Sequence, residues 1–219
     1  AIDTSLVRFA ARTRHTAPAQ ANTYFAFAWR LKLAMAVLTL AAGAGLAWPL
    51  HALLFDSASA PPVWTVTLAF AGGVAVSLWG FSLSYFQAHE RFTPYAAFEC
   101  ASSILRFTLV VGLVLAAVRL VPVYLAVYVA APATMACIAW WLVPRAVVHA
   151  PTSWAVGAEL FRFAKWVLAA TVFTTLVQRL DLVLLAALGV GQEEVGRYGA
   201  AVSLVLLGEL VLLTLYSVL

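Results

Sequence analysis

The sequence predicts an all-α fold, a polytopic bundle of transmembrane helices, and three observations carry that prediction. Of 219 residues, 64% are hydrophobic and 10% charged, with a mean hydropathy of +0.97, far from the composition of soluble domains. The apolar residues fall into six runs, each about the 20 residues that a helix needs to cross the hydrocarbon core. The segments between the runs alternate between cation-rich and cation-poor, as an inside–outside alternation requires.

Residues 1–32 hold five cations, one acid and Pro18, and they read as two amphipathic helical pieces lying at the cytoplasmic membrane surface. With no apolar core in the first 20 residues, no signal peptide is expected within them. The first span runs from 33 to 55, with Trp29 and Trp48 near its two ends, and leads into a cation-free turn at 56–62 that belongs outside. The second span, 63–86, returns inward. On one of its faces Gly73, Ser77, Gly80, Ser84, Gln87 and Arg91 recur at intervals of three and four, which fits a small-residue packing seam or the polar wall of a path. The third span, 101–118, carries Glu99, Ser103 and Arg106 on one face. Arg106 can snorkel to the inner surface or face a cavity. A short outer turn with Arg119 and Pro122 makes the fourth span, 123–143, its antiparallel neighbour, and Pro132 is expected to bend that span.

Residues 144–165 contain proline, serine and glycine together with Arg145, Arg162 and Lys165, and they read as a cytoplasmic linker between lobes. The expected division is 1–143 for the first lobe, 144–165 for the linker and 166–219 for the start of the second. The fifth span, 166–188, is the most polar: Thr171, Thr174, Thr175, Gln178 and Asp181 share a broad face, with Arg179 on its flank. Such a face turns away from lipid, and ionisable groups at that depth mark function by default. Arg179 and Asp181 are two apart and do not face each other, so each needs a partner on another helix. The sixth span begins near Tyr198 and places Glu209 near mid-membrane.

By side, nine cations fall inside, two outside (Arg119, Arg197) and two are embedded (Arg106, Arg179). The basic residues are scattered between apolar runs, which argues against nucleic-acid binding. The two cysteines and four histidines share no metal-ligand spacing, and no serine, histidine and acid constellation suggests bond chemistry. No cofactor is expected. The chain opens without methionine and stops inside an apolar run, the pattern of a piece of a longer protein.

The stretches LVRFAARTR, SYFQAHERFTPYA, LFRFAKWV and RLDLVLLAALGVGQEEVGRYGAA resemble, in order, the polysaccharide biosynthesis (oligosaccharide flippase) family of the multidrug/oligosaccharidyl-lipid/polysaccharide exporter superfamily. The last is the most specific, with Asp181, Val195, Gly196, Tyr198 and Ala201 matching an aspartate in a span followed by a V-G-x-Y turn. The resemblance implies two lobes of a transporter of about 12 to 14 spans, of which this chain supplies six. It implies the flipping of a lipid-linked sugar precursor across the plasma membrane by alternating access, with both termini cytoplasmic. Arg106, Arg179, Gln178 and Thr174 would then line the substrate path, and Asp181 or Glu209 would hold a coupling ion. The partners implied are the lipid precursor and the bilayer, together with polysaccharide polymerase and glycosyltransferases. A cation-coupled multidrug antiporter of the same superfamily, or a membrane enzyme acting on polyprenyl phosphate, are the alternatives.

Overall fold

A computed structural model describes residues 2–14, 16–54, 62–118, 120–191 and 193–203, with backbone alone at 53, 54, 178, 179, 183, 186 and 187. Every regular element among them is a helix: α1 (Ile2–Thr13), α2 (Pro18–Leu54), α3 (Trp64–Ala88), α4 (Phe92–Leu115), α5 (Val121–Trp140), α6 (Arg145–Val148) and α7 (Trp154–Ala187). Residues 193–203 are also helical. Stretches of α2, α3, α4, α5 and α7 are long and apolar enough to cross a membrane. The sixth expected span lies largely outside the described residues.

Two compact units form, Ala1–Val167 and Leu168–Leu219, dividing within α7. In the first unit α3 packs against α1, α2, α4 and α5. Its core gathers at the cation-rich end, where Leu6, Tyr24, Phe25, Phe81, Phe86, Ala139, Val147 and Leu160 are buried together. Aromatic rings dominate it: Trp29 stacks on Trp140 with centroids 4.2 Å apart, and Phe86 on Phe98 at 5.5 Å.

The amino-terminal segment differs from the sequence expectation. α1 is amphipathic, but it packs along α2 and α3 and buries Ser5, Leu6 and Ala10. The second expected surface piece is the beginning of α2, which runs unbroken for 37 residues, about 55 Å at 1.5 Å per residue. Pro18 suits a first helical position, where its missing N–H is not needed, and no glycine or further proline follows until Gly43. Gly43 is required where it stands, since a Cβ there would lie 2.6 Å from Phe70 Cβ on α3.

α4 starts at Phe92, nine residues before the expected span, because Pro94 falls in its first turn, where a missing N–H costs nothing. The α3–α4 turn places Glu90 at a φ of 55°, and the Glu90 carboxylate is held 2.7 Å from Arg14. Pro132 is accommodated inside α5 and buried. Residues 144–165 comprise α6 and the start of α7, and they bury Val147, Val148, Leu160 and Ala164 in the first unit. The expected linker sequence is thus packed: the apolar residues among its cations form an inward face. Along the small-residue face of α3, Gly80 meets Asp3 of α1, while Gly73 faces open space.

Candidate functional site

In the first unit the candidate residue is Arg106. It lies 14 residues beyond the start of α4, roughly 21 Å along the helix. Its guanidinium sits over the Tyr128 ring of α5, with Cζ 5.3 Å from the ring centroid. This is a cation–π contact, and it directs the side chain across to the neighbouring helix. The Nε–H is buried and finds no acceptor. Of the two orientations left open by sequence, the observed one is lateral, onto an aromatic face. Because a ring face holds the charge without consuming N–H donors, the guanidinium keeps hydrogen-bonding capacity for an oxygen-rich group.

In the second unit the candidate is Asp181. Its Oδ2 accepts a 2.8 Å hydrogen bond from the Tyr198 hydroxyl, and its Oδ1 accepts the Leu182 backbone N–H at 2.8 Å. The chain reverses between them through Gly189, whose φ of 77° only glycine adopts without strain. The aspartate and the tyrosine of the V-G-x-Y stretch, 17 residues apart, are therefore in contact. Glu193 and Arg197 form an exposed i,i+4 pair beside this turn and add little to stability. Thr174 is exposed on α7. Gln178 and Arg179 occupy helical backbone positions on α7, and their side chains, like Glu209, lie outside what is described.

Sequence reasoning missed a polar node at the cation-rich end. Lys32, counted there only as an inside cation, is 5% exposed. Its Nζ donates to Asp3 Oδ2 at 2.9 Å and to the Ser77 carbonyl, and it lies 2.7 Å from Asp3 Oδ1, off the hydrogen-bonding direction of that oxygen. α1, α2 and α3 are pinned together by this one ammonium group. The available signal was the glycine at position 80, which leaves room for the Asp3 carboxylate. Nearby, the Tyr24 hydroxyl donates to Glu159, and Arg30 donates to the Thr152 hydroxyl at 2.8 Å, tying α2 to α7 and to the loop before it. His89, just past α3, stands 4.3 Å from the Tyr85 ring and bonds the Tyr85 carbonyl through Nδ1. Burial, and then the charges of Arg14 and Arg91, push its pKa below the ordinary histidine value, against the backbone bond that raises it.

Among the described residues no three His, Cys, Asp or Glu side chains gather to hold a metal ion. Cys100 and Cys137 are exposed free thiols. The family whose model matches this chain is described as "Polysaccharide biosynthesis protein", and the match covers residues 2–219. No curated protein and no solved structure matches the chain.

Proposed function

This chain belongs to the polysaccharide biosynthesis protein family, and from that premise we propose that it flips a lipid-linked oligosaccharide or polysaccharide precursor across the plasma membrane by alternating access. The observation that carries the reading is Arg106, a guanidinium deep in an apolar helix, held by the Tyr128 ring and with a buried N–H lacking an acceptor. A buried donor without an acceptor costs about 1–3 kcal/mol, a cost offset when an anionic oxygen visits. The diphosphate of a lipid-linked sugar is such a visitor, whereas a cationic drug would be repelled.

In this reading Thr174, Gln178 and Arg179 are further substrate-path residues on α7, and Asp181, with its Tyr198 partner, or Glu209 holds the coupling ion. The cation-rich end faces the cytoplasm. The protein makes and breaks no covalent bond; it receives its substrate from glycosyltransferases and delivers it to a polymerase.

The test uses full-length protein in vesicles and follows leaflet exchange of a fluorescent lipid-diphosphate oligosaccharide. Exchange should accelerate, and Arg106→Ala should slow it by roughly tenfold or more, the loss of one charge-assisted hydrogen bond, with Arg106→Lys intermediate. Export of cationic dyes under an ion gradient, with the lipid diphosphate left in its original leaflet, overturns the reading.

A further inference from the structure

We propose that the flank where α1 meets α7 is a docking face for the headgroups of acidic phospholipids, held by Arg8, Arg12, Arg162 and Lys165. This inference is independent of what the protein carries. Phe9 of α1 meets the Phe163 ring of α7 edge-on at 6.0 Å, and the Arg8 guanidinium lies over the same ring, 4.5 Å from its centroid. Arg12 stands one turn beyond Arg8 on the same side of α1 and is exposed. On α7, Leu160 and Ala164 take the inward face, so Arg162 and Lys165 are exposed.

The charge on this flank is only partly compensated. Among the described residues Arg14 is paired with Glu90, Lys32 with Asp3 and Arg197 with Glu193, but none of these four cations contacts a carboxylate. Of the acids that the two helices offer nearby, Asp3 is paired with Lys32, and Glu159, whose carboxylate accepts the Tyr24 hydroxyl, sets one negative charge against four cations. An excess of exposed cations on adjoining helices attracts an anionic surface, an attraction that salt screens.

Two exposed indoles select a lipid over a free phosphate. Trp154 and Trp166, 75% and 70% exposed, lie on the same helix, and Lys165 Nζ is 5.4 Å from the Trp166 ring centroid. A cation beside an exposed indole matches the boundary between headgroup and acyl chain, where tryptophan partitions. A soluble phosphate would leave that apolar surface uncovered.

The test measures lipids retained by purified full-length protein in native mass spectrometry, with phosphatidylglycerol and phosphatidylcholine of identical chains competing in the micelle. Wild type should retain phosphatidylglycerol preferentially at low salt. Each neutralised cation should lower that preference about fivefold, the equivalent of about 1 kcal/mol. Arg12→Gln/Arg162→Gln, which removes no ring contact, should lose it while remaining folded, and adding Arg8→Gln and Lys165→Gln should lose more. Arg91→Gln/Arg145→Gln, at the same end of the bundle, should keep it. An unchanged preference in the first double variant overturns the proposal. So does an equal loss in the Arg91/Arg145 variant, or displacement of the bound lipid by inorganic pyrophosphate.

Discussion

Removing either member of the Asp3–Lys32 pair should destabilise the protein, but by different amounts, because the two partners are unequally buried. Lys32→Met leaves a carboxylate whose side chain is 37% exposed and can recover water, so its expected cost is about 1–2 kcal/mol. Asp3→Ala leaves an ammonium that is 5% exposed, with the Ser77 carbonyl as its remaining bond, and the expected cost is about 3–5 kcal/mol. The double variant Asp3→Ala/Lys32→Met removes both charges and should cost less than the sum of the singles by about 2 kcal/mol. Unfolding of the full-length protein in mixed detergent, titrated with sodium dodecyl sulfate, gives all three values. A Lys32→Met cost equal to that of Asp3→Ala, or single costs that simply add, would refute this unequal coupling.

The two neighbouring glycines of α2 should respond with opposite signs. Gly43→Ala drives a methyl into Phe70 and should cost about 1–3 kcal/mol, while Gly45→Ala meets nothing within 4 Å and should stabilise by up to about 1 kcal/mol, as thermal melts would show. His89 supplies a pH dependence: its folded pKa lies below the unfolded value, so both states are neutral well above about pH 6.5 and no difference arises there. As pH falls through that value the unfolded state takes up the proton first, so stability should decline until the folded pKa is passed; melts from about pH 7.5 to 5 should show this, and His89→Gln should flatten it. Finally, cysteines introduced at Ser57 and Glu193 in a cysteine-free full-length protein should react with an impermeant thiol reagent from outside, and those at Thr93 and Ser153 should not; labelling of Thr93 from outside would invert the orientation.

Much of the helical layout was legible because hydropathy and glycine and proline placement act locally. Trp64–Ala88 and Val121–Trp140 fall within three residues of the runs expected from composition. What escaped were properties fixed by partners far along the chain. That α1 packs on α3 depends on Asp3 finding Lys32, 29 residues on, and a space at Gly80. Residues 144–165 read as a linker because cations and proline outweigh four apolar residues whose burial becomes evident only once α1 and α2 are in place. In each unit, sequence singled out a candidate, Arg106 and Asp181, from the cost of charge in a membrane. It could not supply the partner of Arg106, since Tyr128 is an ordinary aromatic residue until the helices are set side by side, and it put Asp181 and Tyr198 in one pattern without showing that they touch.

The one-ended core of the first unit gives it a gradient of stiffness. Its buried rings, ion pairs and helix-to-helix hydrogen bonds gather where α1, the start of α2 and the end of α3 meet, whereas Val37, Leu38, Leu46 and Trp48 of α2, and Val114 and Leu115 of α4, turn apolar surface outward. Beyond that end α2 and α3 stay packed through smaller groups, with Gly43 against Phe70 and Ala47 buried, so the change along the bundle is from ring and ion-pair contacts to close backbone approach. From Lys32 to Leu54, α2 extends about 33 Å beyond the clamp, so a tilt of about 10° there would carry its far end through roughly 6 Å together with the part of α3 packed on Gly43. Amides in the clamped end should exchange with solvent hydrogen last, and displacement during any transport cycle should grow with distance from Lys32.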